Sequence, residues 1–214
     1  MPAYITAAWI IGTLLGLALL ILVFYRFYFL RKPVRTIPPE RVVVSPAYGK
    51  VVKILKIGKG AKDNTLLKKG ILGKVKLLTK DTIRAGYLIV IMMTPFDVHY
   101  QRSPVQGTVV NVQHHKGKFL NAVKDAGSLA ALENEKNEIL IHNNDIGKVK
   151  VVQVAGFLAR RIECFTKKNH KVLKGENIGL IKLGSQVILV IPELKLCIKE
   201  GQRVIDGETP IARF

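Results

Sequence analysis

The chain reads as a mainly β domain carrying one N-terminal transmembrane helix, and two observations predict this. The 23 positions from Ala3 to Tyr25 hold no charged residue and are dominated by Ala, Ile, Leu, Val and Gly. About 20 such residues span a bilayer core as a helix. Beyond Arg41, Val, Ile and Leu recur at alternate or consecutive positions in short runs broken by Gly, Pro, Asn and Asp, the pattern of strands joined by turns.

The apolar run is too long for a cleaved signal peptide, and no basic residue precedes it. Arg26, Arg31, Lys32 and Arg35 follow it, so the positive-inside rule places the C-terminal flank in the cytoplasm. Trp9, Tyr25 and Tyr28 are spaced to sit near the two interfaces. Three prolines and a threonine between residues 32 and 40 make a linker rather than a helix. The expected organisation is a membrane anchor at 1–27, a juxtamembrane linker at 28–40 and a β domain at 41–214. This is a single-pass protein of the cell membrane with its β domain in the cytoplasm.

Strands are expected over 41–44, 49–57, 73–78, 88–93, 107–113, 137–142 and 147–154, and the one helix candidate outside the membrane is Asp125–Glu135. A weak repeat closes the chain: His170-Lys-Val-Leu-Lys-Gly-Glu176 and Gln202-Arg-Val-Ile-Asp-Gly-Glu208, offset by 32 residues. The pattern resembles the turns of biotinyl and lipoyl carrier domains, which implies a sandwiched-barrel, carrier-like β domain. A carrier's acceptor lysine sits beside methionine, and none of Met1, Met92 and Met93 adjoins a lysine. The repeat is therefore architecture.

Lys and Arg number 34 against 15 Asp and Glu, a formal charge of +19 that lies almost wholly after residue 25. For a tethered protein the nearest polyanion is the lipid headgroup plane, worth roughly 1 kcal/mol per basic residue close to it. Nucleic acid ranks below lipid, because no groove-reading helix, zinc motif or stacked aromatic pattern accompanies the charge. No metal is expected. Cys164 and Cys197 fall in apolar alternating runs of a cytoplasmic domain, where reduced, structural thiols are expected.

Chemistry concentrates at Ile181-Lys-Leu-Gly-Ser-Gln-Val-Ile-Leu-Val190. Gly184 lacks a Cβ, so a neighbouring nucleophile can approach its carbonyl closely. Attack by the Ser185 hydroxyl would turn the amide into an ester, and elimination would then cut the chain and leave a pyruvoyl group. With Ser45-Pro-Ala-Tyr-Gly-Lys50, Thr94-Pro-Phe-Asp-Val-His-Tyr-Gln-Arg-Ser-Pro104, Gly117-Lys-Phe-Leu-Asn-Ala122, Glu133-Asn-Glu-Lys-Asn137 and Ala155-Gly-Phe-Leu-Ala-Arg-Arg161, this run resembles the short, archaeal-type phosphatidylserine decarboxylases. The resemblance covers most of residues 28–192 in the family's order.

The resemblance implies self-cleavage at Gly184-Ser185 into two chains and a pyruvoyl cofactor made from Ser185. The substrate would be an anionic serine phospholipid, phosphatidylserine or archaetidylserine, and no external cofactor would be needed. It assigns His99 as the acid/base that reprotonates carbon after CO₂ leaves, work that suits histidine. Asp97 either orients His99 or caps the local turn, since on an extended strand side chains two apart point the same way. Arg102 and Lys118 offer contacts to phosphate or carboxylate. His114 and His115 are surface or substrate-proximal, and Arg160 or Arg161 supports the active-site strands. Homo-oligomerisation is compatible with all of this.

Tyr48 departs from the family, which generally reads Ser-Pro-Ala-Asp-Gly and uses the aspartate to activate the cleavage serine. A phenol is no carboxylate. Its presence slows maturation, shifts the relay to another carboxylate such as Asp97 or Glu163, or marks a non-processing pseudoenzyme that binds anionic lipid or a protein at the membrane. Gly184, Ser185 and His99 favour the enzyme. A basic membrane-tethered adaptor is the third reading.

Overall fold

The computed structural model describes residues 2–58, 75, 78, 79, 81–117, 134–156, 161–182 and 185–214. They form two compact units, Met1–Pro33 and Val34–Phe214. In the first, α1 (Ala3–Val23) continues into a π-helical segment, Phe24–Phe29. Residues Tyr4–Phe29 are long and apolar enough to cross a membrane. The helix exposes Trp9, Ile10, Leu14, Leu15 and Leu19, so it has no polar side to offer water. In the π-helical segment Tyr25 stacks on Phe29 and Phe24 on Tyr28, with ring centroids 5.4 and 5.3 Å apart.

The second unit is antiparallel β throughout its described pairings. Its strands are β1 (Val42–Val44), β2 (Gly49–Ile57), β3 (Gly86–Met93), β4 (Tyr100–Arg102), β5 (Gly107–His115), β6 (Lys136–Asn143), β7 (Gly147–Ala155), β8 (Ile162–Cys164), β9 (Lys171–Val172), β10 (Asn177–Ile181), β11 (Ser185–Pro192), β12 (Lys195–Leu196), β13 (Arg203–Val204) and β14 (Pro210–Arg213). A curled eight-stranded sheet runs β13-β2-β3-β11-β7-β6-β5-β9, and two small sheets run β4-β10-β8 and β1-β14-β12. The chain is thus mainly β with one apolar N-terminal helix.

The period of two decides which residues the large sheet buries where. On β11, Val187, Leu189 and Ile191 join the main core with Ile89, Ile91 and Met93 of β3 and Val149 and Val151 of β7. The alternate residues Ile188 and Val190 join Leu88, Val90, Val152 and Val154 on the opposite face. Both faces are covered, which is why β3, β7 and β11 read as continuous apolar runs rather than alternating ones.

The two repeats form the two edges of this sheet. Strands β9 and β13 each lead into a tight turn, with Gly175 at φ +80° and Gly207 at φ +76°, conformations in which glycine is the residue without penalty. Ile37 packs against both, within 2.3 Å of where a Cβ on Gly175 would stand and 3.0 Å for Gly207. Residues 35–37 of the expected linker therefore belong to the β unit.

Two expectations change. Val75 and Leu78, placed above in a strand at 73–78, are helical, and the Thr79 hydroxyl donates to the Val75 carbonyl at 3.0 Å. Val75 and Leu78, three apart, share one face against Leu88 and Val90, a spacing that serves a helix as well as the flanking alternation served a strand. Cys164 and Cys197 are free thiols exposed to solvent rather than packed. Among the described residues the large sheet is curled like a half-barrel. Of the candidate helix, residues 125–133 lie outside the described residues.

On the sheet's second face Lys150 is buried, its ammonium donating to the Leu78 carbonyl at 2.8 Å, Asp81 at 2.5 Å and Glu138 at 3.0 Å. Burial works to raise the Asp81 carboxyl, and the hydrogen bond and charge of Lys150 outweigh it, holding Asp81 below its ordinary value.

Candidate active site

Ser185 opens β11, the fourth strand of eight, with Met93 of β3 on one side and Ala155 of β7 on the other. Its odd position in the strand turns it to the main core with Val187 and Leu189. The residue is 0% exposed, and its hydroxyl has no hydrogen-bond partner among the described residues. Gly184 lies outside the described residues.

His99 stands immediately before β4, also 0% exposed. Its carbonyl accepts from the Ile181 N–H at 3.3 Å, which sets it across the ladder from a residue four before Ser185. Its Nδ1 lies 2.9 Å from the Asp97 carbonyl oxygen. A carbonyl can only accept, so Nδ1 carries the proton and Nε2 of the neutral ring holds the lone pair.

A line of buried amides supports this arrangement from behind. Asn137 Nδ2 donates to Gln153 Oε1 at 2.8 Å, Gln153 Nε2 to Gln101 Oε1 at 2.7 Å, and Gln101 Nε2 to the His99 carbonyl at 2.6 Å. The same Gln101 amide reaches Met93 Sδ at 3.9 Å, and Met93 is the cross-strand neighbour of Ser185. Bonds aligned head to tail in a dry interior strengthen one another. Gln101 and Gln153 escaped the sequence reading because an isolated amide in an apolar run has no signature of its role.

Asp97 caps the turn and leaves the orientation of His99 to its own backbone. Residues 94–98 form a turn rather than an extended strand, so the two side chains do not align. Asp97 Oδ2 accepts from the Thr94 N–H at 2.7 Å and the Thr94 hydroxyl at 2.9 Å, while Oδ1 accepts from Arg203 Nη2. Glu163 is bound to Lys182 at 2.7 Å.

Arg203 was not singled out by sequence. Its guanidinium is raised above its already high ordinary value by the hydrogen bond to Asp97, with help from the Tyr48 hydroxyl. It lies 5.3 Å from the Tyr48 ring centre, and Arg35 lies 5.7 Å from the same ring. Tyr48 thus occupies a position flanked by two cations, one that would suit a carboxylate.

Arg102, offered above as a contact to phosphate or carboxylate, meets a carboxylate of the chain itself. It is buried, with Nε on Asp206 at 2.8 Å and Nη1 on the Gly175 carbonyl at 2.8 Å. Arg35 Nη2 binds the other oxygen of Asp206 at 2.5 Å. The carboxylate of Asp206 is fully buried between two arginines. His115 ends β5, three strands from β11 and therefore on the order of 14 Å across the sheet. Its Nε2 lies 3.3 Å from Glu138, and His114 Nε2 lies 3.1 Å from Glu135. Lys118 and Arg160 lie outside the described residues, and Arg161 is exposed.

Comparison with known proteins identifies the family. The family model for phosphatidylserine decarboxylase matches residues 22–212. A protein of Methanothermobacter thermautotrophicus, named provisionally as an archaetidylserine decarboxylase proenzyme, is 38% identical over 205 residues, covering 94% of this chain and 85% of its own. The phosphatidylserine decarboxylase proenzyme of Chlorobium phaeobacteroides is 37% identical over 90% of this chain and 80% of its own. That of Pelagibacter ubique is 34% identical over 96% and 87%. With a matching model over nearly its whole length and relatives at this level, the chain belongs to the phosphatidylserine decarboxylase family, carboxy-lyases of serine phospholipids made as proenzymes.

Proposed function

We propose that the chain is a membrane-anchored, pyruvoyl-dependent decarboxylase that makes its own prosthetic carbonyl by cutting itself between Gly184 and Ser185. The observation that carries this is the Ser185 hydroxyl, buried at the head of the central strand with no partner among the described residues. Leaving such a group unmet costs about 1–3 kcal/mol, so its retention fits a reaction better than a packing role.

The Ser185 Oγ attacks the Gly184 carbonyl carbon and displaces the residue 185 nitrogen, exchanging amide for ester. Loss of the residue 185 α-proton then breaks the Cβ–O bond, releasing residues 1–184 with a C-terminal carboxylate. Water adds to the remaining unsaturated residue, ammonia leaves, and 185–214 begins with a pyruvoyl group. His99 Nε2, held by the Nδ1 contact to Asp97, takes the serine proton at the outset. Met93 and Ala155 flank position 185 without charge, a setting that fits a neutral carbonyl. When formed, that carbonyl supplies the electron sink that pyridoxal phosphate provides elsewhere. His99 then delivers the proton that replaces CO₂ on the lipid serine, giving the ethanolamine lipid with ester or ether tails alike. Residues Tyr4–Phe29 serve as a single-pass anchor, and the basic flank directs the β unit to the cytoplasm.

Intact mass of the purified protein in detergent, with and without a carbonyl-reactive hydrazine, tests the reading. Two pieces parting after residue 184, the smaller one gaining the hydrazone mass, are expected. A single stable chain sinks it.

Tyr48 keeps the pseudoenzyme reading in play, because the flanking guanidiniums engage the ring instead of a relay carboxylate. In Tyr48→Asp the new carboxylate enters a site already lined by Arg35 and Arg203. The expected result is a faster appearance of the two pieces, by about 100- to 10,000-fold for a restored acid/base partner, followed by time-resolved mass spectrometry. Wild type that never cuts, beside a Tyr48→Asp variant that does, would establish the pseudoenzyme.

A further inference from the structure

We propose that the outer face of the small sheet β4-β10-β8, with the turn that carries His99, is the surface by which the β unit docks onto an anionic bilayer. This rests on the reading of the substrate as a membrane lipid and adds where the membrane is met.

Two aromatics meet on that face, and a third stands on the turn that leads into β4. Phe96 stands 65% exposed at the tip of the 94–98 turn, three residues before His99. Tyr100 follows His99 directly, and its ring lies 6.2 Å from that of Phe165, which is 45% exposed. Strand order explains the meeting: β4 and β8 both pair with β10, so Tyr100, Leu180 and Glu163 stand in one row. Phe165, two beyond Glu163, extends the same face. Leu180 in that row is buried, while the rings outside it reach solvent.

Charge surrounds the rings. Arg161 precedes β8, and Lys167 and Lys168 follow shortly after Phe165, all three exposed. The acid on the same strand, Glu163, is neutralised by Lys182 at 2.7 Å. Exposed rings flanked by cations suit the interface of an anionic bilayer, where aromatics settle at headgroup depth and basic residues meet lipid phosphates. A protein partner would leave the basic rim to be matched by acids of its own. A bilayer supplies them everywhere, and it also brings the lipid headgroup to the turn that holds His99.

The test uses the full chain in nanodiscs. Trp9 is the sole tryptophan, so Trp9→Phe gives a dark background in which Phe165→Trp, Phe96→Trp and, on the separate β1-β14-β12 sheet, Phe214→Trp report one at a time. Discs of equal parts phosphatidylglycerol and phosphatidylcholine carry bromine on the upper acyl chain as quencher. Quenching of the indole at positions 165 and 96, but not at 214, is expected, and it is lost in pure phosphatidylcholine. Lys167→Glu with Lys168→Glu should lower the docking equilibrium by about 30-fold, from roughly 1 kcal/mol per lysine. Reporters at 165 and 96 quenched no more than the one at 214, or quenching indifferent to lipid charge and to the lysines, overturns the proposal. The same measurements in Ser185→Ala separate the two ideas. Quenching retained, when the parent chain itself never cuts, leaves docking intact and removes the catalytic reading, while cutting without quenching does the reverse.

Discussion

Ser185→Ala is expected to yield one uncut chain with no decarboxylase activity and an unfolding temperature equal to or above that of an equally uncut wild-type sample. The loss follows from chemistry, since alanine offers neither an attacking oxygen nor a carbon skeleton that can become a carbonyl. The gain follows from the site. The hydroxyl removed is buried and has no partner among the described residues, so its deletion removes an unmet polar group worth about 1–3 kcal/mol. The hole left is no larger than an oxygen atom. Most core substitutions destabilise, which makes this pairing of lost activity and retained stability diagnostic. Mass spectrometry and a thermal melt decide it together. A variant that loses activity by unfolding would instead mark Ser185 as a packing residue.

The largest loss of stability is expected at a residue that touches no substrate. Asp206→Ala removes the fully buried carboxylate held by Arg35 at 2.5 Å and Arg102 at 2.8 Å. Both guanidiniums are about nine-tenths buried and are left facing each other without a counter-charge. Breaking such a pair from one side costs about 3–5 kcal/mol. For a unit of this size that lowers the unfolding temperature by roughly 6–20 °C. The Gly207 turn, which rests on Arg102 and Ile37, loosens with it. The triple variant Asp206→Leu, Arg35→Leu, Arg102→Met should recover much of the loss, because an apolar replacement removes the stranded charges. A melt of Asp206→Ala within about 2 °C of wild type, less than about 1 kcal/mol, would show the carboxylate to be dispensable.

Sequence patterning placed β2 to the residue, and it placed the other long strands closely, because their apolar runs are flanked by turn residues that punctuate them. Ser185 and His99 were legible as members of extended patterns. Arg203 and Asp206 were not. Arg203 is one of 34 basic residues and meets Asp97 across 106 positions, a distance over which local pattern says nothing. A hint of Asp206 was available: the two weak repeats align position for position, yet Lys174 of the first is replaced by Asp206 in the second. An acid breaking a basic repeat in a strongly basic chain marks a place where cations converge. Arg102 shows the converse, a cation that suits phosphate by type and is claimed by a carboxylate 104 residues away. Val75 and Leu78 failed because a short apolar run fits either period, and tertiary packing decided.

If the chain cuts itself as proposed, the place of β11 in the sheet governs when the peptide bond can break. Its neighbours β3 and β7 come from the middle of the chain, and all three must register before residue 185 stands between Met93 and Ala155. A nascent or misfolded chain has no such setting and keeps its bond. Under the proposed cleavage the cut is therefore an inspection stamp, applied only to molecules that have completed this non-local step of assembly. Fragment 185–214, supplied later on its own, would have to part a finished sheet to enter it.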